Sequence, residues 1–211
     1  MLFLPHRYSI TDEIFLIKIL RILNLNQKNK QLMKILILTT WLAPYRIDLY
    51  NELSKYANVT VMYEMTSSPE RNKEYQALMS ARCNYQKLTG GIKFPIIGST
   101  VPGFINEISE RGDSYDIVYV DGYASVGLIQ AINCLSKKNI HYFVNIDGAL
   151  IREKEFKLLA LFKKWILSRN CSYLCGAKVT NKYLLRYGVK EKQIFNHTFS
   201  SLFNRDILEV P

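Results

Sequence analysis

Residues 33–63, MKILILTTWLAPYRIDLYNELSKYANVTVMY, decide the fold. The run Lys34–Thr40 is almost continuously apolar, as a parallel strand buried on both faces requires. Proline lacks an N–H and pushes Ala43 towards extended conformations, so the strand ends within Trp41–Pro44. The same proline suits the first turn of a helix. Leu49, Tyr50, Leu53, Tyr56 and Ala57 follow at i, i+1, i+4, i+7 and i+8, one apolar stripe of a helix closed by Asn58. Val59–Tyr63 is a second, β-branched strand. Strand, short crossover helix and strand make a right-handed βαβ unit, the start of a doubly wound sheet.

Downstream, the alternation continues. A polar loop with Pro69 leads to a helix ending near Ala81, and Asn84–Leu88 and Lys93–Ile97 flank Gly90–Gly91 as a hairpin or bent connection. Phe104–Arg111 reads as a short helix and Asp116–Val120 as a buried strand ending at Asp121–Gly122. The next helix carries Leu128, Ala131, Ile132 and Leu135 on one face, and His141–Ile146 is a strand ending at Asp147–Gly148. A long basic helix, Ile151–Arg169, precedes a strand at Cys171–Leu174. A helix over Ala177–Tyr187 stops at Gly188, and Ile194–Asn196 is a last short strand. The pattern predicts one α/β domain over residues 33–202, a doubly wound, mostly parallel, Rossmann-like sheet with helices on both faces.

Residues 1–32 differ from the rest. Ser9 and Asp12 fit the cap of a helix through Ile14–Leu23, interrupted by Lys18 and Arg21 and too short to span a bilayer. It reads either as an amphipathic interfacial anchor or as an extension upstream of a true start at Met33, and the abrupt opening of the first strand favours the second.

A net charge of +10 and a pI near 9.4 point to an anionic partner. Residues 150–192 hold eleven lysines and arginines against three glutamates, so most of the basicity sits in one segment. Hydrophobic residues at 48% argue against disorder. The four cysteines lack zinc or redox spacing and read as reduced thiols of a cytoplasmic protein. The basic segment contains no nucleic-acid reading motif, which sets nucleic acid aside as a partner.

In an open doubly wound sheet, ligands bind beyond the carboxyl ends of the strands, where the strand order reverses. If the Lys34 strand is central and the Asp116 strand lies across that point, three loops line the crevice. They are Trp41–Arg46, Asp121–Gly122–Tyr123 and Asp147–Gly148–Ala149. Arg46, in the first turn of a helix, reads as an anion contact or as an ordinary surface arginine. Asp121 and Asp147 each end an apolar strand before glycine. Such a carboxylate accepts a hydrogen bond from a sugar hydroxyl, acts as a base, or is plain turn chemistry. No G-x-G-x-x-G or Walker loop is present, and neither His141 nor His197 belongs to a recognisable triad.

The helix over 151–169 places Leu158, Leu159, Phe162, Trp165 and Ile166 on one stripe, for which core packing is the first reading. Its other side mixes lysines with Phe156 and Leu167, a pattern that suits an anionic bilayer, with Lys157, Lys163, Lys164 and Trp165 as the membrane-facing set.

Taken together, KILILTTWLAPYRIDLYNEL, YDIVYVDGY, NIDGALIRE and RNCSYLCGAKVTNKYLLRYGVKEKQIFNHTFSSL resemble, in order and spacing, the N-terminal domain of glycosyltransferase family 4, a GT-B fold. The likeness covers about Met33 to Leu202. It implies sugar transfer from a nucleotide-sugar to a glycan acceptor, often lipid-linked, in bacterial surface polysaccharide synthesis on the inner face of the plasma membrane. In this family the N-terminal domain mainly holds the acceptor and the C-terminal domain the donor. Carried over, Pro44, Tyr45 and Arg46 would face the interdomain cleft with Asp121, Gly122, Tyr123 and Gly148 around it. Asp147 would be the catalytic residue near the acceptor, as base or beside a donor phosphate that takes the proton. The family's glutamate pair eight positions apart has no counterpart here, nor is there an Asp-x-Asp metal motif. The resemblance therefore implies half an enzyme. Residues 203–211 would begin a linker, no cofactor or metal would be held by this chain, and a donor domain or partner subunit would complete it.

Overall fold

The computed structural model describes residues 32–65, 82–94, 98–149, 151 and 154–197. The leader helix read over 14–23, the helix ending near Ala81 and the linker at 203–211 lie outside the described residues. Strand β1 (Lys34–Trp41) is buried from Ile35 to Thr39, which is why its sequence is apolar without alternation. Helix α1 (Pro44–Leu53) begins on the proline and returns the chain to β2 (Asn58–Met65), parallel to β1 in a register that pairs Ile37 with Val61. The helix ends at Leu53 rather than running on to Asn58. Ser54 turns its hydroxyl onto the Asn51 carbonyl, short i+3 bonds close the last turn, and Tyr56 is left exposed.

β3 (Asn84–Lys87) runs parallel to β2 at the sheet edge, so it is not one arm of a hairpin about Gly90–Gly91. The open edge of β2 offers a row of backbone partners, and that pairing wins. β4 (Lys93–Phe94) pairs antiparallel with β5 (Gly98–Ser99) in a separate two-stranded piece. Helix α2 (Pro102–Arg111) leads to β6 (Ile117–Val120), then α3 (Val126–Lys137), β7 (Phe143–Ile146), α4 (Lys157–Leu167), β8 (Ser172–Cys175), α5 (Lys178–Arg186) and β9 (Ile194–Asn196). Helix α4 is shorter than the span 151–169 read from sequence. Gly188, at φ 91°, ends the turn after α5, and Val189 N–H closes it on the Leu184 carbonyl.

The main sheet is parallel throughout, in the order β3-β2-β1-β6-β7-β8-β9. It is an α/β, Rossmann-like doubly wound fold. The order reverses at β1, whose two neighbours are β2 and β6, and right-handed crossovers then place α1 on one face and α3, α4 and α5 on the other. Alternate residues of each strand serve the two cores. Ile35, Ile37, Val59, Val61, Ile117 and Tyr119 pack under Ile47, Tyr50 and Leu53 of α1. Leu36, Leu38, Val118, Val120 and Val144 pack against Phe104 and Ile108 of α2 and Leu128, Ala131, Ile132 and Leu135 of α3. Free thiols at Cys83, Cys171 and Cys175 are buried, and Cys134 is half-buried.

Candidate functional site

The period of two that builds the cores also builds the site. On the α1 face, the sequences Ile35-x-Ile37-x-Thr39, Ile117-x-Tyr119-x-Asp121 and Phe143-x-Asn145-x-Asp147 change from apolar to polar at the carboxyl end of each strand. β1, β6 and β7 are adjacent, so these polar ends converge at the switch point. Arg46 of α1 reaches down onto them, its fork occupied at both ends. Nη1 donates to the Tyr119 hydroxyl at 2.7 Å. Nη2 sits 2.9 Å from Asp121 Oδ1 and pairs with Asp147 Oδ2. Thr39 Oγ1 donates to Asp121 Oδ2 at 3.0 Å, and Asn145 Nδ2 donates to Asp147 Oδ1 at 2.8 Å and more weakly to Asp121 Oδ1 at 3.4 Å.

Arg46, Asp121 and Asp147 therefore meet, but with unequal access. The Arg46 side chain is 7% exposed, that of Asp121 13% and that of Asp147 34%. The guanidinium is buried and engaged, and the surface it offers to solvent is the outer edge of Asp147. Burial opposes the Arg46 charge, but Tyr119, Asp121, Tyr50 and Asp147 around it hold its pKa well above the ordinary value. Burial raises the Asp121 pKa against the pull of Arg46, and Asp147, drawing on the same guanidinium, raises it further. Tyr119 is raised by burial too, so its hydroxyl remains a neutral acceptor for Arg46. Tyr50, one turn after Arg46, is fully buried, and its hydroxyl has no hydrogen-bond partner among the described residues.

Such a cluster can present one oriented carboxylate, Asp147, on a fixed base. A carboxylate held by a guanidinium and an amide keeps its outer lone pairs available to hydroxyl donors. Arg46 does not offer a bare guanidinium to an incoming anion. Pro44 occupies the first turn of α1, and the Arg46 guanidinium carbon lies 5.6 Å from the Tyr45 ring centroid. Gly122 and Gly148 both have positive φ, 90° and 74°, where the chain leaves β6 and β7 beside the two aspartates. Past Gly122 the backbone turns Tyr123 to the opposite face, where its hydroxyl bonds that of Tyr183 on α5. Tyr123 does not join the Arg46 cluster. His141 is exposed, beside Ser172 Oγ and edge-on to Phe143.

On the other face, at the ends of β1 and β2, a second polar group forms that reading the sequence did not single out. Thr40 Oγ1 donates to Ser125 Oγ at 3.1 Å, and that oxygen caps α3 by accepting from Leu128 N–H. Glu64 Oε1 accepts from Ser99 N–H at 3.0 Å and from the Ser99 hydroxyl, which fastens β5 over the strand ends. Thr39, Tyr119 and Asn145 were likewise missed. The parity signal of the preceding strands points to all three.

Of the four residues read as membrane-facing, Lys157, Lys164 and Trp165 are exposed, whereas Lys163 is turned inward. Its ammonium pairs with Glu155 and lies 5.4 Å from the ring centroids of both Tyr183 and Tyr187. The stripe expected to face the core is also corrected. Leu158, Leu159, Phe162 and Trp165 are exposed, and Ile166 and Leu167 are the buried pair. Ala160, Lys163 and Leu167, at i, i+3 and i+7, make the inward face because pairing with Glu155 neutralises the lysine among them. Among the described residues, no group of three or more His, Cys, Asp or Glu side chains could hold a metal ion.

No protein-family model matches the chain, and neither a curated protein nor a solved structure matches it significantly.

Proposed function

We propose that this chain is the N-terminal, acceptor-side half of a glycosyltransferase that moves a sugar from a nucleotide-sugar to a glycan, lipid-linked in surface polysaccharide assembly. One observation carries the reading: a solvent-reaching carboxylate, Asp147, is braced by Arg46 and Asn145 at the switch point of a doubly wound sheet. That arrangement suits a ligand rich in hydroxyl donors. It suits a phosphate poorly, because Asp147 would repel it and the positive charge of Arg46 is engaged inside. This division agrees with an acceptor side that leaves the nucleotide to another domain. Asp147 would contact the acceptor hydroxyl, and Arg46, Asp121, Asn145 and Thr39 would position Asp147.

The test is turnover. The purified chain is incubated with a panel of nucleotide-sugars and glycan acceptors, alone and with a donor-binding half supplied in trans. The reading expects no turnover alone, and turnover with the second half that falls at least tenfold in Asp147→Ala. Turnover by the chain alone would contradict the half-enzyme reading. A non-catalytic basic module at a membrane is the second reading, favoured by the exposed apolar face of α4.

A further inference from the structure

We propose that the outward face of α4 docks flat against an anionic lipid bilayer, with Leu158, Leu161, Phe162 and Trp165 entering the interface. These four recur at i, i+3, i+4 and i+7, one stripe of a helix, opposite the inward stripe of Ala160, Lys163 and Leu167. They are 82%, 62%, 40% and 47% exposed, and Phe156 just ahead of the helix is 86% exposed. Single exposed apolar residues are ordinary on a protein surface, but a contiguous stripe marks a surface that something covers.

Charge decides what covers it. Lys157 and Lys164 are seven positions apart, so they share one flank of the stripe, and both are exposed. Lys154 is exposed ahead of the helix, and the Arg169 guanidinium stacks over the Trp165 ring, 4.4 Å from its centroid. No acidic residue lies within α4, and Glu155, the nearest, has its carboxylate turned inward to Lys163 and Tyr187. A two-fold dimer that pairs the α4 helices antiparallel through this face would bring the lysine flanks of both copies together, which like-charge repulsion opposes. Anionic headgroups complement the lysines, while acyl chains accept Leu158, Leu161 and Phe162, and tryptophan favours the interface between them. No helix among the described residues is long and apolar enough to cross a membrane, so the contact is in the plane of the interface.

The topology gives the docking a direction. α4 follows β7 and returns antiparallel to it, so its N-terminal end, with Phe156 and Leu158, lies at the sheet edge that carries Asp147. Docking through α4 thus leaves the sheet between the bilayer and the α1 face that carries the Arg46 cluster. The proposal stands on α4 alone and holds for either reading of function.

The test uses the full chain carrying Trp41→Phe, which leaves Trp165 as its one tryptophan, and vesicles of phosphatidylcholine with or without phosphatidylglycerol. Sedimentation with the anionic vesicles, weakened by salt and accompanied by a blue shift of Trp165 emission, is the expected result. Lys157→Ala with Lys164→Ala should weaken binding about thirty-fold. Phe162→Glu should abolish the shift while circular dichroism remains unchanged, because an exposed position is altered. Absence of binding, equal binding to neutral and anionic vesicles, or binding without a Trp165 shift would overturn the proposal. So would a Trp165 shift that appears with protein concentration in the absence of vesicles, the mark of self-association. None of these outcomes bears on sugar transfer, which the turnover assay reads separately.

Discussion

Arg46 Nη2 lies 2.9 Å from Asp121 Oδ1, joining the first helix of the domain to the end of a strand on the far side of the switch point. Asp147 draws on the same nitrogen from the next strand, so one buried cation ties α1, β6 and β7 together. With both carboxylates ionised the cluster carries one net negative charge, and that excess faces solvent at Asp147.

Removing the cation should be costly. Arg46→Met leaves two carboxylates side by side without their counter-charge, and about 3–5 kcal/mol of stability is expected to be lost. Urea unfolding reads this directly. Adding Asp121→Asn should restore part of the loss, because the second change removes the uncompensated buried charge. A double variant as unstable as the sum of the singles would contradict the coupling.

Asp121 predicts an unusual pH dependence. Burial first, against the pull of Arg46, raises its pKa in the folded chain above the ordinary carboxylate value near 3.9. A raised folded pKa means tighter proton binding in the folded state. The stability that this contributes is complete below about pH 3.9 and is lost as pH rises through the raised folded value. Unfolding free energies of the native chain, minus those of Asp121→Asn, should fall as pH rises through that window. A difference that grows with pH would show a depressed Asp121.

Two buried tyrosines give opposite expectations for one change. Tyr119 accepts from Arg46, so Tyr119→Phe leaves a buried guanidinium N–H without its acceptor, at a cost of about 1–3 kcal/mol. Tyr50 has no partner for its hydroxyl among the described residues, so Tyr50→Phe removes an unsatisfied group and should leave the melting temperature unchanged or higher. Thermal melts of the two variants, side by side, check the pair.

Gly122 isolates backbone strain. Its φ is 90°, and a Cβ there would meet the Asn145 carbonyl oxygen at 3.9 Å, an ordinary contact. Gly122→Ala should therefore cost about 1–2 kcal/mol through conformation alone. A neutral substitution in chemical denaturation would contradict this reading of the turn.

The fold was legible because β1, α1 and β2 show it in one run of sequence, and because a fully buried strand such as Ile35–Leu38 has few alternatives. The meeting of Arg46, Asp121 and Asp147 followed from the topology once the switch point was assigned to β1 and β6. Thr39, Tyr119 and Asn145 stayed hidden because each lies within a strand and reads as core until strand parity is combined with strand order. Lys163 was misplaced for a different reason. Helical spacing puts a lysine outside by default, and its partner Glu155 precedes the helix, where no i+4 rule connects them. The outward turn of Leu158 and Phe162 was equally hidden, since apolar periodicity marks a stripe without saying which side the protein covers.

The central claim is that Asp147, held by Arg46, receives a hydroxyl-rich acceptor while the nucleotide is bound elsewhere. Titration calorimetry of the 211-residue chain with glycan acceptors and with nucleotide-sugars, repeated on Asp147→Asn, tests it most directly. The account predicts acceptor binding that weakens about tenfold in the variant, the loss of one charge-assisted hydrogen bond, with no measurable heat from nucleotide-sugars. Nucleotide-sugar binding by the native chain, or acceptor binding untouched by Asp147→Asn, would contradict it.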